Sequence, residues 1–153
     1  MKSKLQSKVI LLTGASSGMG KSIATRLIKQ GHIVYAVARR VEKMNDLVSL
    51  GGRVIEMDVT NDLQCSRTVT QILDECGRID VLINNAGYSV YGAVEDVSQE
   101  DARRQFEVNL FGLAFLTQKV LPSMRENHSG HIINVTSVGG KIYAPLGAWY
   151  HAS

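Results

Sequence analysis

The stretch Thr13-Gly14-Ala15-Ser16-Ser17-Gly18-Met19-Gly20 constrains this chain more than any other. Before it, Lys8 to Thr13 (KVILLT) is a short continuous apolar run of the kind that forms a strand buried on both faces. After it, Lys21 to Gln30 carries Ile23, Ala24, Leu27 and Ile28 at helical spacing, and Gly31 stands where a helix stops. Strand, glycine turn and helix in that order set the helix N-terminus, with its free N–H groups and partial positive charge, at the strand end. A turn that binds pyrophosphate must lie there. The glycines let the backbone bend sharply and approach a ligand with no Cβ in the way. Ser16 and Ser17 add hydroxyl donors. The spacing is G-x-x-x-G-x-G, not the G-x-G-x-x-G of the general dinucleotide fingerprint, so placement carries the reading.

The alternation continues along the chain. Ile33 to Ala38 (IVYAVA) reads as a strand, Glu42 to Leu50 as a helix, and Arg53 to Met57 as a third strand after the Gly51-Gly52 break. Asn61 or Asp62 caps a helix reaching about Cys76, with Val69, Ile72 and Leu73 on one face. Ile79 to Ile83 is a fourth strand, and Ser98 an N-cap for a long helix to about Arg125, with Pro122 near its end. Gly130 to Val135 is a fifth strand, running into Thr136-Ser137. Strands alternating with helices throughout argue an α/β fold with a doubly wound parallel sheet. No linker, repeat or low-complexity tract divides it, so residues 1–153 read as one domain.

Composition excludes several classes. The chain has 153 residues, enough for one real core, and is 44% hydrophobic. No apolar run approaches the roughly 18 to 20 residues that cross a bilayer. Val9 to Leu12 is too short for the core of a secretion signal, so a cytoplasmic protein is expected. The net charge of +3 is scattered, without the basic stripe and interleaved aromatics of a nucleic-acid binder. Cys65 and Cys76 lie about 16 Å apart along one helix and cannot bridge each other within it. His128 and His131 lack a third ligand, so no metal site is expected.

Past the second strand, the general fingerprint expects a carboxylate to hold the ribose 2′-OH. Here the chain reads Ala38-Arg39-Arg40. An arginine pairs bidentately with a 2′-phosphate and stacks on adenine, which favours NADP(H) over NAD(H). Asp58, with Val59 after it, ends the third strand. It suits either the adenine amino group or the cap of the next helix.

TGASSGMG at 13 to 20, DVT at 58 to 60, NNAG at 84 to 87, Asn109, Ser137 and Tyr150 together resemble, in order and spacing, the short-chain dehydrogenase/reductase family. The wording around NNAGYSVYGAVEDVS and VNLFG is similar to its hydroxysteroid- and retinol-dehydrogenase-like branch. The resemblance covers essentially the whole chain. It implies a Rossmann-type sheet of seven strands, of which five are here. It also implies a small alcohol or carbonyl substrate, no nucleic-acid or membrane partner, and a homo-oligomer in the full-length protein. Asn85, Ala86 and Gly87 would lie against the adenosine ribose, and Asn84 would help lock neighbouring strands. Tyr150 would be the general acid/base as hydride moves to or from the nicotinamide. A free phenol titrates near about 10, so this role needs positive charge nearby. Ser137 would bind the same substrate oxygen, and Asn109 would hold a water in a proton relay. His151 is expected to face elsewhere on its helix.

The family pattern is Tyr-x-x-x-Lys, and this chain ends at Ser153, one residue before the lysine. That lysine holds the nicotinamide ribose and lowers the tyrosine pKa. Members run to about 250 residues or more. Two accounts are open: a piece of an active NADP(H)-dependent enzyme that interconverts a secondary alcohol and a ketone or aldehyde, or a non-catalytic dinucleotide-binding or sensor module. The first is preferred, because an end inside a catalytic motif leaves a broken helix and an uncovered sheet edge. A nucleotide-sugar epimerase-like protein shares the fold and a Tyr-x-x-x-Lys pair, but the NNAG and serine spacing argue against it. The chain of 153 residues is expected to show negligible NADPH-dependent carbonyl reduction. A steady-state turnover near about 1 s⁻¹, ordinary for enzymes, would overturn this.

Overall fold

A strand covered by helices on both sides favours apolar residues on both its faces, and β1 (Val9–Thr13), apolar up to Thr13, is buried throughout. Val9 and Leu11 join one core with Tyr35, Val37, Ile72 and Leu116, whereas Ile10 and Leu12 join another with Val34, Ala36, Ala24 and Leu47. The unbroken KVILLT run is thus two period-2 faces interleaved. The structure, a computed structural model, describes residues 6–153.

From β1 the chain enters α1 (Gly18–Lys29), β2 (Ile33–Ala38), a 3₁₀ turn (Val41–Met44), α2 (Asn45–Ser49) and β3 (Arg53–Glu56). It continues through α3 (Asp62–Cys76), β4 (Val81–Asn84), α4 (Gln99–Phe106), a π turn (Glu107–Gly112), α5 (Leu113–Glu126), β5 (His131–Asn134) and α6 (Ala148–Ala152). All strand pairs are parallel, in the order β3-β2-β1-β4-β5. Leu11 stands between Tyr35 and Leu82 in register. The core on one face of the sheet draws on α1 and α2, and the core on the other on α3 and α5. The doubly wound α/β sheet expected from the alternation is the fold. Strand order reverses at β1, so a crevice opens beyond the ends of β1 and β4. No described helix is long and apolar enough to cross a membrane.

Three elements differ from the sequence reading. The first helix starts at Gly18 (φ +55°), inside the glycine motif, so its N-terminus lies in the turn itself. The helix expected over 42–50 is a 3₁₀ turn followed by the short α2. Its two buried side chains, Met44 and Leu47, are seated by that tighter path. The long helix after Ser98 is interrupted by the π turn. The caps are where expected: Asn61 accepts from the Gln64 N–H, and Ser98 from the Asp101 N–H. Gly77 (φ +70°) ends α3 in the left-handed conformation. Cys65 and Cys76 are free, and burial pushes the Cys65 thiol up to about 11.

Asp80 ties the near ends of three strands together. Its buried carboxylate accepts from the Val9 N–H at 2.7 Å and from Arg78 Nε at 3.1 Å. Its own N–H donates to Val9 O, and its carbonyl accepts from the His131 N–H. Removing the carboxylate orphans a buried N–H, which costs about 1–3 kcal/mol. In urea unfolding, Asp80→Ala is expected to lose that amount, while Asp80→Asn, which keeps an acceptor, loses less. Equal losses would contradict this assignment of the bond.

Candidate functional site

β1 and β4 end side by side, and past their ends the ladder no longer satisfies the backbone. The buried Thr13 hydroxyl takes over, accepting from the Asn85 N–H at 3.0 Å and the Ala86 N–H at 2.9 Å. In return Asn85 Nδ2 donates to the Thr13 and Gly14 carbonyls at 3.1 and 3.3 Å. The glycine turn and the NNAG turn therefore form one body. Gly14 (φ +69°) is forced twice over, because a Cβ there would stand 2.8 Å from Ala86 Cα. A Cβ on Gly20 would collide with the Gly14 carbonyl. Asn84 locks the strands as expected: its Nδ2 donates to Asn134 Oδ1 at 2.9 Å and to Thr117 Oγ1 at 3.2 Å.

A cavity of about 320 Å³ lies over this body. Gly14, Ser16, Ser17, Met19, Gly20, Arg39, Asp58, Val59, Asn85, Ala86 and Gly87 all line it, as do Arg40, Tyr88, Arg104 and Val108. Of the cofactor-binding residues read from the sequence, Gly18 alone does not. It opens onto the outer face of α1 and serves the turn by its left-handed backbone. Arg39 Nη1 is 3.9 Å from Asp58 Oδ2, and Arg40 Nη2 reaches Ser16 Oγ at 3.5 Å. Asp58 Oδ1 accepts from both the N–H and the hydroxyl of Thr60, so one oxygen shapes the DVT turn and the other faces Arg39. Asn61, not Asp58, caps α3.

A second cavity, of about 570 Å³, adjoins the first and is lined by Asn109, Ser137, Tyr150 and His151. Met19 and Asn85 to Tyr88 line both. Asn109 sits in the π turn, and both its polar atoms are engaged within the protein. Oδ1 accepts from the Tyr88 N–H at 2.8 Å, and Nδ2 donates to Tyr88 O at 2.8 Å and Ser153 Oγ at 2.9 Å. Gly112 closes the π turn against Val59, where a Cβ would meet the Val59 carbonyl at 2.9 Å. Ser137 Oγ accepts from the Gly139 N–H, which leaves its own hydrogen to donate.

His151 departs from the sequence reading. Far from facing away, its Nε2 accepts from the Ala144 N–H at 3.1 Å, so Nδ1 carries the hydrogen that donates to Gly139 O at 2.8 Å. This clamp holds the turn after Ser137 against the helix that carries Tyr150. Tyr88, Arg104 and Val108 also join the site without a sequence signal, while Thr13 and Arg40 belong to stretches read from the sequence without a role of their own. Thr13 was detectable, as a hydroxyl adjoining the glycine turn. Tyr88, Arg104 and His151 give no local signal, because their contacts are made between separate segments.

The sequence profile described as short chain dehydrogenase matches residues 8–153. A 3-ketodihydrosphingosine reductase of Bacteroides thetaiotaomicron is 43% identical over 149 residues, which is 97% of this chain and 54% of that protein. A cyclopentanol dehydrogenase of Comamonas testosteroni is 36% identical over 156 residues, 98% of this chain and 62% of the other. Among solved structures, a short-chain dehydrogenase from Streptomyces avermitilis superposes with a TM-score of 0.92 at 40% identity. That match covers 95% of this chain and 55% of the other. The closed form of serine dehydrogenase complexed with NADP+ matches with a TM-score of 0.89 at 36% identity, over 94% and 60% of the two chains. The chain spans about half the length of the curated relatives it matches. With its parallel sheet, its locked glycine turn and this match along nearly its whole length, the chain belongs to the short-chain dehydrogenase family.

Proposed function

We propose that this chain forms the cofactor-binding part and most of the active site of an NADP(H)-dependent oxidoreductase that interconverts a secondary alcohol and a carbonyl. The observation that carries the reading is the continuity of the two cavities. Met19 and Asn85 to Tyr88 line both, so a ligand lying along the first reaches Ser137 and Tyr150 in the second.

The residues fit a dinucleotide. No side chain caps the start of α1, and its first turn holds no carboxylate, which leaves the helix N-terminus open to an anion. Gly14 and Gly20 keep that approach free of Cβ atoms. Three arginines and one carboxylate supply the formal charges lining the first cavity, a balance that favours a phosphorylated ligand. Arg39 and Arg40 follow β2 and would hold a 2′-phosphate. When bound, the dinucleotide supplies a hydride donor or acceptor at its nicotinamide ring.

The chain itself handles the proton. Tyr150 carries the proton that a substrate oxygen gains on reduction and returns on oxidation. Ser137 donates its free hydroxyl hydrogen to the same oxygen and so orients it. Asn109 fixes the Tyr88 backbone, and through it the strip that the two cavities share. His151 keeps Ser137 and Tyr150 in a common frame through Gly139. One relative is named as a reductase of a keto compound and another as an alcohol dehydrogenase, which supports this reaction class.

Titration of the chain with NADP+ and NAD+ is expected to give at least about tenfold tighter binding of NADP+, worth about 1.4 kcal/mol. Arg39→Ser with Arg40→Ser should erase the difference. NAD+ binding tenfold tighter than NADP+ would overturn the cofactor. In any form of the protein that turns over, Tyr150→Phe is expected to lower kcat by about 10²–10⁴-fold with little change in dinucleotide Kd. Retained turnover would remove Tyr150 from the proton transfer.

A further inference from the structure

Arg104 and Val108 line the first cavity but not the second; the reading above uses only the charge of Arg104 and gives neither residue a place on the ligand. They lie one turn apart, on α4 and the π turn that continues it. The Arg104 guanidinium carbon stands 5.3 Å from the centroid of the Tyr88 ring. That ring is firmly held. Asn109 binds both backbone polar groups of Tyr88, and the Tyr88 hydroxyl donates to Asp101 Oδ1 at 3.1 Å. Arg104 forms no ion pair among the described residues, unlike Arg39 with Asp58. Its charge is thus oriented by a ring without being neutralised.

We infer that Arg104 is a further ligand-binding residue of this cleft, its guanidinium, seated on Tyr88, covering the adenine base of the dinucleotide. The inference rests on the first cavity being the dinucleotide site proposed above. A guanidinium is planar and stacks on aromatic faces, and adenine offers such a face. The neighbours favour the base over a phosphate. Val108, one turn on from Arg104, and Val59 contribute apolar wall to the same cavity, whereas Arg39 and Arg40 follow β2 on a separate element. Because Tyr88 already fixes the guanidinium, little side-chain freedom remains to be lost on binding.

The test is direct titration of the chain with NADPH, NADH and reduced nicotinamide mononucleotide, which lacks the adenosine half, followed by the fluorescence of the bound dihydronicotinamide. Arg104→Met is expected to raise Kd for NADPH and NADH by the same factor, about fivefold, and to leave the mononucleotide unchanged. Arg104→Lys, which keeps the charge and loses the plane, should recover only part of the loss. Thermal unfolding at the wild-type midpoint confirms that each variant is folded. An unchanged Kd for both dinucleotides overturns the inference. A loss confined to NADPH also overturns it, by assigning Arg104 to the 2′-phosphate. Equal losses on all three ligands overturn it as well, by making the effect a general disturbance. Failure of the wild-type chain to bind either dinucleotide would instead reject the cofactor reading itself.

Discussion

The Thr13 hydroxyl is the point on which the cleft depends. Where parallel strands stop, the backbone N–H groups just beyond them lose their ladder partners, and buried ones must find others. One oxygen takes both the Asn85 and the Ala86 N–H, while the Asn85 amide returns two bonds to Thr13 and Gly14. Two motifs some seventy residues apart are thereby fixed to one another. The glycines at 14 and 20 follow from this closeness as much as from any ligand, since a methyl group at either would strike the neighbouring backbone.

The arginines around the cleft share a second principle. Arg40 on the Ser16 hydroxyl and Arg104 over the Tyr88 ring are oriented by contacts that leave them net cations, and Arg39 stands only at the outer limit of ion-pair distance from Asp58. Full pairing with carboxylates would hold them equally still but cancel the field. The protein keeps positive potential beside an open helix N-terminus, where an anion is favoured most.

Much of this was legible in the sequence because the constraints were local. β1 reads as an unbroken apolar run since both its faces are covered, and the glycine turn reads as a turn since its backbone needs residues without Cβ. The same is true of Asn61 and Ser98, whose caps are made within their own helix starts. What escaped is what depends on distant partners. The split over Val41 to Ser49 follows from how Met44 and Leu47 meet the sheet. The His151 clamp exists only because Gly139 and Ala144 curl back onto α6. Asn109 was singled out by resemblance, yet its bonds to the Tyr88 backbone have no signature in the sequence.

The π turn at Glu107–Gly112 makes the count of residues in this helix a functional quantity. A π turn inserts extra chain into a helix that otherwise advances about 100° per residue. Deleting one residue there would let the segment close into regular α-helix, with α4 and α5 still able to form. Asn109 would then rotate off Tyr88, and the seat of Gly112 against Val59 would shift with it. Single-residue length changes in this segment are therefore a distinct kind of lesion: the scaffold survives, but the two cavities lose their common alignment. Among relatives, chain length between Ser98 and Pro122 should be held more strictly than the identity of the exposed residues within it.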